Sequence, residues 1–245
     1  EEEVHTTIVF LRHGQSVWNE ASLFTGWADV ELTTLGKNEA AAGATAMWKE
    51  GIKIDVAFTS LLKRAQQTLD IVLRITGQED IPVHQNWRLN ERMYGALTGR
   101  EKAETERILG VAGFEELRRD PPPLDSGSCF DPRHNPAFRS VPAEKMPRKE
   151  SFEDTRARVE PFWQEELLPR AQGGQDVLVI SSKNLLRSLL MCITDLPREQ
   201  LVHLARLEAR LHAPQRREAA QSVTATSRPT DAKELPMASS SLTSS

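Results

Sequence analysis

The runs HTTIVFL (5–11), DVAFTS (55–60) and DVLVISS (176–182) constrain the fold most strongly. Each is β-branched and apolar without clean polar alternation, the pattern of a strand buried on both faces of a parallel sheet. Between them, TTLGKNEAAAGATAMWKE (33–50) is Ala-rich, with a threonine available as N-cap and Gly51 as a stop. LLKRAQQTLDIVLRI (61–75) repeats its apolar residues at helical spacing, and IPVHQNW (81–87) is again strand-like. Strands alternating with helices predict an α/β fold of three layers, a mostly parallel central sheet flanked by helices, with HTTIVFL as its first, central strand.

The middle differs in character. DPPPLDSGSCFDPRHNPAFRSVPAEKMPR (120–148) is so rich in proline and turn residues that it reads as an irregular excursion. Helices are predicted again over SFEDTRARVEPFWQEELLPRA (151–171), NLLRSLLMCI (184–193) and REQLVHLARLEARLH (198–212). A single domain over 1–212 is expected, followed by a Ser-, Thr- and Ala-rich segment, 213–245, with the composition of a disordered tail.

The 35 acidic and 31 basic residues give a formal charge of -4, so no global basic field advertises nucleic acid or an anionic membrane as a partner. Any anion site must be local. Cys129 and Cys192 are too few for a disulfide framework and lack metal-site spacing, so no metal is expected. The stretch EEEVHTTIVFL has neither the basic start of a signal peptide nor the Arg-rich character of a transit peptide. No apolar run approaches the ~20 residues of a membrane span. A cytoplasmic protein is the expectation, with an organelle as the alternative if a targeting segment has been removed.

One histidine stands out in LRHGQSVWNE (11–20), directly after the first predicted strand. In open parallel sheets, ligands bind outside the carboxyl ends of the strands, which is where Arg12, His13 and Gly14 fall. A neutral imidazole can attack phosphorus and hold the phosphoryl group covalently when positive charge and backbone N–H groups stabilise the equatorial oxygens. Arg12 supplies charge, and Gly14 lets the backbone come close. A surface histidine in a turn between strand and helix is the bland alternative.

The company this histidine keeps is specific. LRHGQSVWN, FTGWADVELTTLGKNEA, FTSLLKRAQQT, WRLNERMYGALTGREKAET, LRRDPPP and ESFEDT together, in this order, resemble the cofactor-dependent phosphoglycerate mutases of the histidine phosphatase superfamily, over about residues 7–195. The resemblance implies that His13 is the phosphorylated nucleophile, with Arg12, Asn19 and Arg64 around its phosphate. It implies Glu91 as the general acid/base, Thr25 and Gly26 in the substrate pocket, Tyr94 and Lys102 as substrate contacts, and Arg118 and Arg119 as further anion-binding groups. Its implied primer is 2,3-bisphosphoglycerate, its substrates are small phosphoglycerates, and it leaves a homo-oligomer open.

The chain also departs from that family. Where the family carries a second histidine in a pattern like A-H-G-N-S-L-R, this chain reads VLVISSKNLLR: Ser182 takes the histidine position, Lys183 replaces the glycine, and Asn184 is retained. The spacing of LRRDPPP is shorter than usual, which shifts Arg118 and Arg119. The usual final strand is missing after residue 195, so the sheet is expected to lack its C-terminal edge strand. Two classes of function therefore stand: a phosphoglycerate mutase, with a weak phosphatase or bisphosphoglycerate mutase as its near relatives, and a catalytically impaired homologue that binds phosphometabolites or a protein partner, with Ser182 and Lys183 as the substitutes on which the choice turns.

Overall fold

The computed structural model describes residues 6–125 and 127–194; the predicted helix over 198–212 and the expected tail lie outside them. Four strands, β1 (Ile8–Arg12), β2 (Val56–Thr59), β3 (Val83–Gln85) and β4 (Val177–Ser181), form one sheet in the order β1-β4-β2-β3. All three pairings are parallel. Among the described residues β1 is an edge strand, which corrects the expectation that it is central. The middle is taken by β4, whose five residues are all buried, pairing Arg12 with Ser181 on one side and Thr59 with Ile180 on the other.

Helices cover both faces. After a single turn, α1 (Val17–Glu20), come α2 (Thr34–Lys49), α3 (Lys63–Thr76) and α4 (Lys102–Arg119), then α5 (Phe152–Phe162), α6 (Leu168–Gln172) and α7 (Lys183–Thr194). One face of the sheet, with Val9, Leu11, Ala57, Leu178 and Ile180, packs on α2 and α3 through Ala44, Met47, Leu69 and Val72. The other, with Ile8, Phe58, Val177 and Val179, packs on α5 and α7 through Val159, Phe162, Leu185 and Leu189. These are the three layers expected of apolar strands with no polar face.

Local chemistry sets the helix ends. Thr33 caps α2 by accepting the Gly36 N–H, and Ser151 caps α5 reciprocally with Asp154. Gly77, left-handed at φ 65°, ends α3. The predicted helix over 151–171 is α5 and α6 joined by a π turn, Trp163–Leu167. Pro169 follows that turn without an N–H to donate, and its ring crowds the carbonyl four residues earlier. Among its described residues the proline-rich excursion contains three short 3-10 turns, at 132–134, 136–138 and 143–145.

Candidate active site

His13 follows β1 directly, and its backbone N–H donates to the Ser181 carbonyl at the end of β4, 3.0 Å away. The turn that carries it is pinned from three directions. Gly14 N–H donates to Thr68 Oγ1 on α3, Gln15 N–H donates to Glu39 Oε2 on α2, and Thr33 N–H donates to the Gln15 carbonyl. Gly14 and Gly36 cross so closely that a Cβ on Gly14 would lie 2.0 Å from the Gly36 carbonyl oxygen. Glycine here is a packing requirement as the N-terminus of α2 presses on the turn.

The imidazole is 5% exposed and oriented by two contacts. Nδ1 lies 2.7 Å from the Gly14 carbonyl, which can only accept, so Nδ1 carries the proton and Nε2 carries the lone pair. Arg64 Nε donates to that Nε2 at 3.2 Å. Burial, followed by the charges of Arg64 and Arg12, holds the His13 pKa well below its usual value, with the Gly14 contact opposing. The side chain is therefore a neutral imidazole at neutral pH, its orientation fixed at both ring nitrogens.

Arg64, on the first turn of α3, is 1% exposed and donates also to the Ala28 and Gly26 carbonyls, each at 2.9 Å. Burial lowers its pKa to about 10, with Glu91 the largest opposing influence. It remains a cation at neutral pH. Gly26, at φ 54°, brings its carbonyl to Arg64 where a Cβ would press on the Tyr94 backbone nitrogen at 3.2 Å.

Glu91 is 7% exposed in the irregular loop after β3. Its Oε1 accepts the Arg92 N–H at 2.7 Å, and its carbonyl accepts Trp27 Nε1–H at 2.7 Å. Nearby, Tyr94 Oη accepts from Asn184 Nδ2 at 2.7 Å. Burial and then Glu91 push the Tyr94 hydroxyl up, keeping it a neutral phenol.

A small polar cleft of about 50 Å³ gathers Arg12, His13, Asn19, Thr25, Gly26, Arg64, Glu91, Tyr94, Lys102 and Lys183. Arg12, Arg64, Lys102 and Lys183 face one carboxylate there. Burial, then Arg118 and Arg12, lowers the Lys102 pKa, and Arg187 is the main influence lowering that of Lys183. Such crowding of like charges makes a site for an anion. Two roomier clefts, about 520 Å³ between α2 and α3 and about 720 Å³ beside 142–147, contain none of these side chains. Chemistry rather than size selects the small one.

The remaining candidates fall outside that lining. Asn184 reaches the site through Tyr94. Arg118 pairs with Glu115 at 3.2 Å, while the Arg119 carbonyl accepts from Arg92 at 3.4 Å. Ser182 is 1% exposed, and its Oγ has no hydrogen-bond partner among the described residues. At the substituted pair it is Lys183, not Ser182, that lines the cleft. Sequence reasoning missed Trp27, Thr68 and Gly36, which hold the site from behind. Only the glycine in TTLGKNEA carried any signal, as a break in an Ala-rich helix.

A buried, neutral histidine at a strand end, ringed by arginines and one carboxyl, is an arrangement suited to binding an anion such as a phosphoryl group. The chain matches the model of the histidine phosphatase superfamily (branch 1) over residues 8–131 and 128–223, and it belongs to that family. Within it, the chain is 44% identical over 189 residues to the 2,3-bisphosphoglycerate-dependent phosphoglycerate mutase of Thermobifida fusca, covering 76% of each. It is 41% identical over 201 residues to the same enzyme of Borrelia garinii, covering 80% of this chain and 81% of the relative. A solved mycobacterial glucosyl-3-phosphoglycerate phosphatase is similar at 26% identity and TM-score 0.55, over 77% of this chain and 79% of that one. No cluster of three or more metal-ligating side chains occurs among the described residues, and none of their helices is long and apolar enough to cross a membrane.

Proposed function

We propose that this protein is a phosphoglycerate mutase that interconverts 3-phosphoglycerate and 2-phosphoglycerate through a phosphohistidine on His13. The observation that carries the reading is the His13 ring: Nδ1–H is tied to the Gly14 carbonyl, and Nε2 faces Arg64 in a cationic cleft shared with Glu91. The names of the two relatives above 40% identity support the same substrate class.

Once His13 carries the phosphoryl group, the free hydroxyl oxygen of 3-phosphoglycerate attacks phosphorus as the bond from phosphorus to Nε2 breaks, and the Glu91 carboxylate takes the hydroxyl proton. The bound intermediate now carries both phosphates, and the Nε2 lone pair attacks the other phosphorus while its ester bond breaks and Glu91 returns the proton to the departing alkoxide. Arg12 and Arg64 neutralise the equatorial oxygens in both transfers. 2-Phosphoglycerate leaves, and the enzyme ends as it began, with phosphohistidine and a Glu91 carboxylate. Asn19 would hold the phosphate with Arg12 and Arg64. Thr25 and Gly26 would shape the pocket, and Lys102, Tyr94 and Asn184 would take the glycerate carboxylate. Arg118 and Arg119 would bring further positive charge from the end of α4. The cationic lining suits 2,3-bisphosphoglycerate, which would supply the phosphoryl group that first charges His13.

Lys183 favours an active enzyme over a binding-only homologue, because it offers the cleft a cation where the family has glycine. A phosphatase balance is the second reading, favoured by the likeness to the mycobacterial phosphatase. Water rather than a glycerate hydroxyl would then accept the phosphoryl group. Incubating purified protein with 3-phosphoglycerate, with and without 2,3-bisphosphoglycerate, beside His13→Ala, separates these readings. Primer-dependent 2-phosphoglycerate, absent in the variant, is expected. Release of inorganic phosphate in excess of isomerisation would replace the mutase by the phosphatase. Wild-type protein indistinguishable from His13→Ala would leave only binding.

A further inference from the structure

The segment that carries Glu91 runs between two short 3-10 turns, Trp87–Leu89 and Gly95–Leu97, with no α-helix or strand to satisfy its backbone, yet residues 89–95 are buried. Arg158, on α5, fills that role. Its Nη1 donates to the carbonyls of Arg88 at 2.8 Å and Asn90 at 3.1 Å, and its Nη2 donates to that of Glu91 at 3.3 Å. The same guanidinium forks onto Glu150, at 2.6 Å from Nε to Oε1 and 2.9 Å from Nη2 to Oε2. Both side chains are about 95% buried, with exposures of 6% and 5%. Glu150 then grips the loop beyond Glu91: its Oε2 accepts the Met93 N–H at 2.8 Å, and its own N–H donates to the Met93 carbonyl at 2.9 Å. The guanidinium also lies over the Trp27 ring, 5.7 Å from its centroid, and Trp27 donates to the Glu91 carbonyl.

We infer that Arg158 and Glu150 are a positioning pair for the reaction: by clamping the chain on both sides of Glu91, they fix where that carboxyl meets the oxygen whose proton it moves. The inference rests on the reading of Glu91 as acid/base. Only a planar fork with five donors spans three carbonyls and a carboxylate at once. A lysine keeps the charge opposite Glu150 but cannot make that span. A displacement of about 1 Å at a proton-transfer group costs on the order of 100-fold.

The test separates proton delivery from general damage by using two phosphoryl donors. Phosphoglycerate must be given a proton as its alkoxide departs, whereas acetyl phosphate releases acetate, which needs none. Arg158→Lys is expected to unfold cooperatively, to isomerise 3-phosphoglycerate about 100-fold more slowly with KM little changed, and to label His13 from acetyl phosphate at the wild-type rate. Glu91→Gln should show the same split. Unchanged isomerisation in folded Arg158→Lys, or equal losses with both donors, would overturn the inference. If Arg158→Lys fails to fold, Glu150→Gln, which keeps an acceptor for the Met93 N–H, decides by the same two assays. A Glu91→Gln protein as active as wild type, or a wild type that neither isomerises nor hydrolyses, would instead remove the acid/base reading itself, and the positioning claim with it.

Discussion

Lowering the pH should destabilise this fold through one buried side chain, and the size of the effect can be worked out. His13 is held well below its usual pKa by burial, then by Arg64 and Arg12, whereas in the unfolded chain it titrates near 6.5. Above that value both states hold a neutral imidazole, and the group contributes no pH dependence. As the pH falls below it, the unfolded chain binds a proton that the folded state refuses, so stability drops until the folded pKa is reached. Between pH 7.5 and 5.5, one such group costs at most about 1.4 kcal/mol, the limit in which the folded imidazole stays neutral throughout, or up to roughly 3–6 °C in Tm for a domain of this size. Other groups titrate in the same range, so the quantity to measure is a difference. Urea unfolding of wild type and His13→Asn at both pH values isolates it, and wild type should lose more than the variant, by up to about 1.4 kcal/mol. Equal losses would mean that His13 accepts a proton freely in the folded state, which would refute the buried, neutral nucleophile.

Other substitutions probe the same architecture. Gly14→Ala would place a Cβ 2.0 Å from the Gly36 carbonyl oxygen, and since backbone meets backbone there, a loss of about 1–3 kcal/mol is expected in denaturant unfolding. Ser182→Ala removes a buried hydroxyl that has no partner among the described residues. The variant should match or exceed wild-type stability by up to about 1 kcal/mol and label His13 at the wild-type rate. Lys183→Ala withdraws a cleft-lining cation, and steady-state assays should find KM for phosphoglycerate raised about 10-fold, the equivalent of one surface-facing charge contact of about 1.4 kcal/mol. Added salt should shrink that difference.

Much of this was legible in the sequence, for identifiable reasons. The strands β1, β2 and β4 announce themselves because burial on both faces demands unbroken apolar runs. That β1 lies at an edge among the described residues is not legible, because runs of that kind say a strand is covered above and below, not which neighbours flank it. Helix α4 is not legible in the sequence. Its sequence leaves Ile108, Leu109 and Val111 exposed, and Gly110 breaks it with a φ of 68°, so no apolar stripe marks it. At the site, His13, Arg64 and Glu91 sit in quotable motifs, and the cleft gathers most of the side chains that those motifs suggested. Arg118 and Arg119 lie outside its lining because α4 ends there, with Arg118 turned to Glu115. Arg158 is invisible in TRARVEPF, one charge among several on a helix. Its importance arises from carbonyls that lie about 70 residues earlier in the chain and meet it only after folding.

The claim on which everything turns is that His13 Nε2 receives the phosphoryl group. The most direct measurement is to incubate the protein with phosphoryl-labelled 2,3-bisphosphoglycerate, quench it in base, and map the modified residue by mass spectrometry of its peptides. A single acid-labile, base-stable label on His13, discharged by 3-phosphoglycerate and absent from His13→Ala, is expected. A label on any other residue, or none on a cooperatively folded protein, would contradict it.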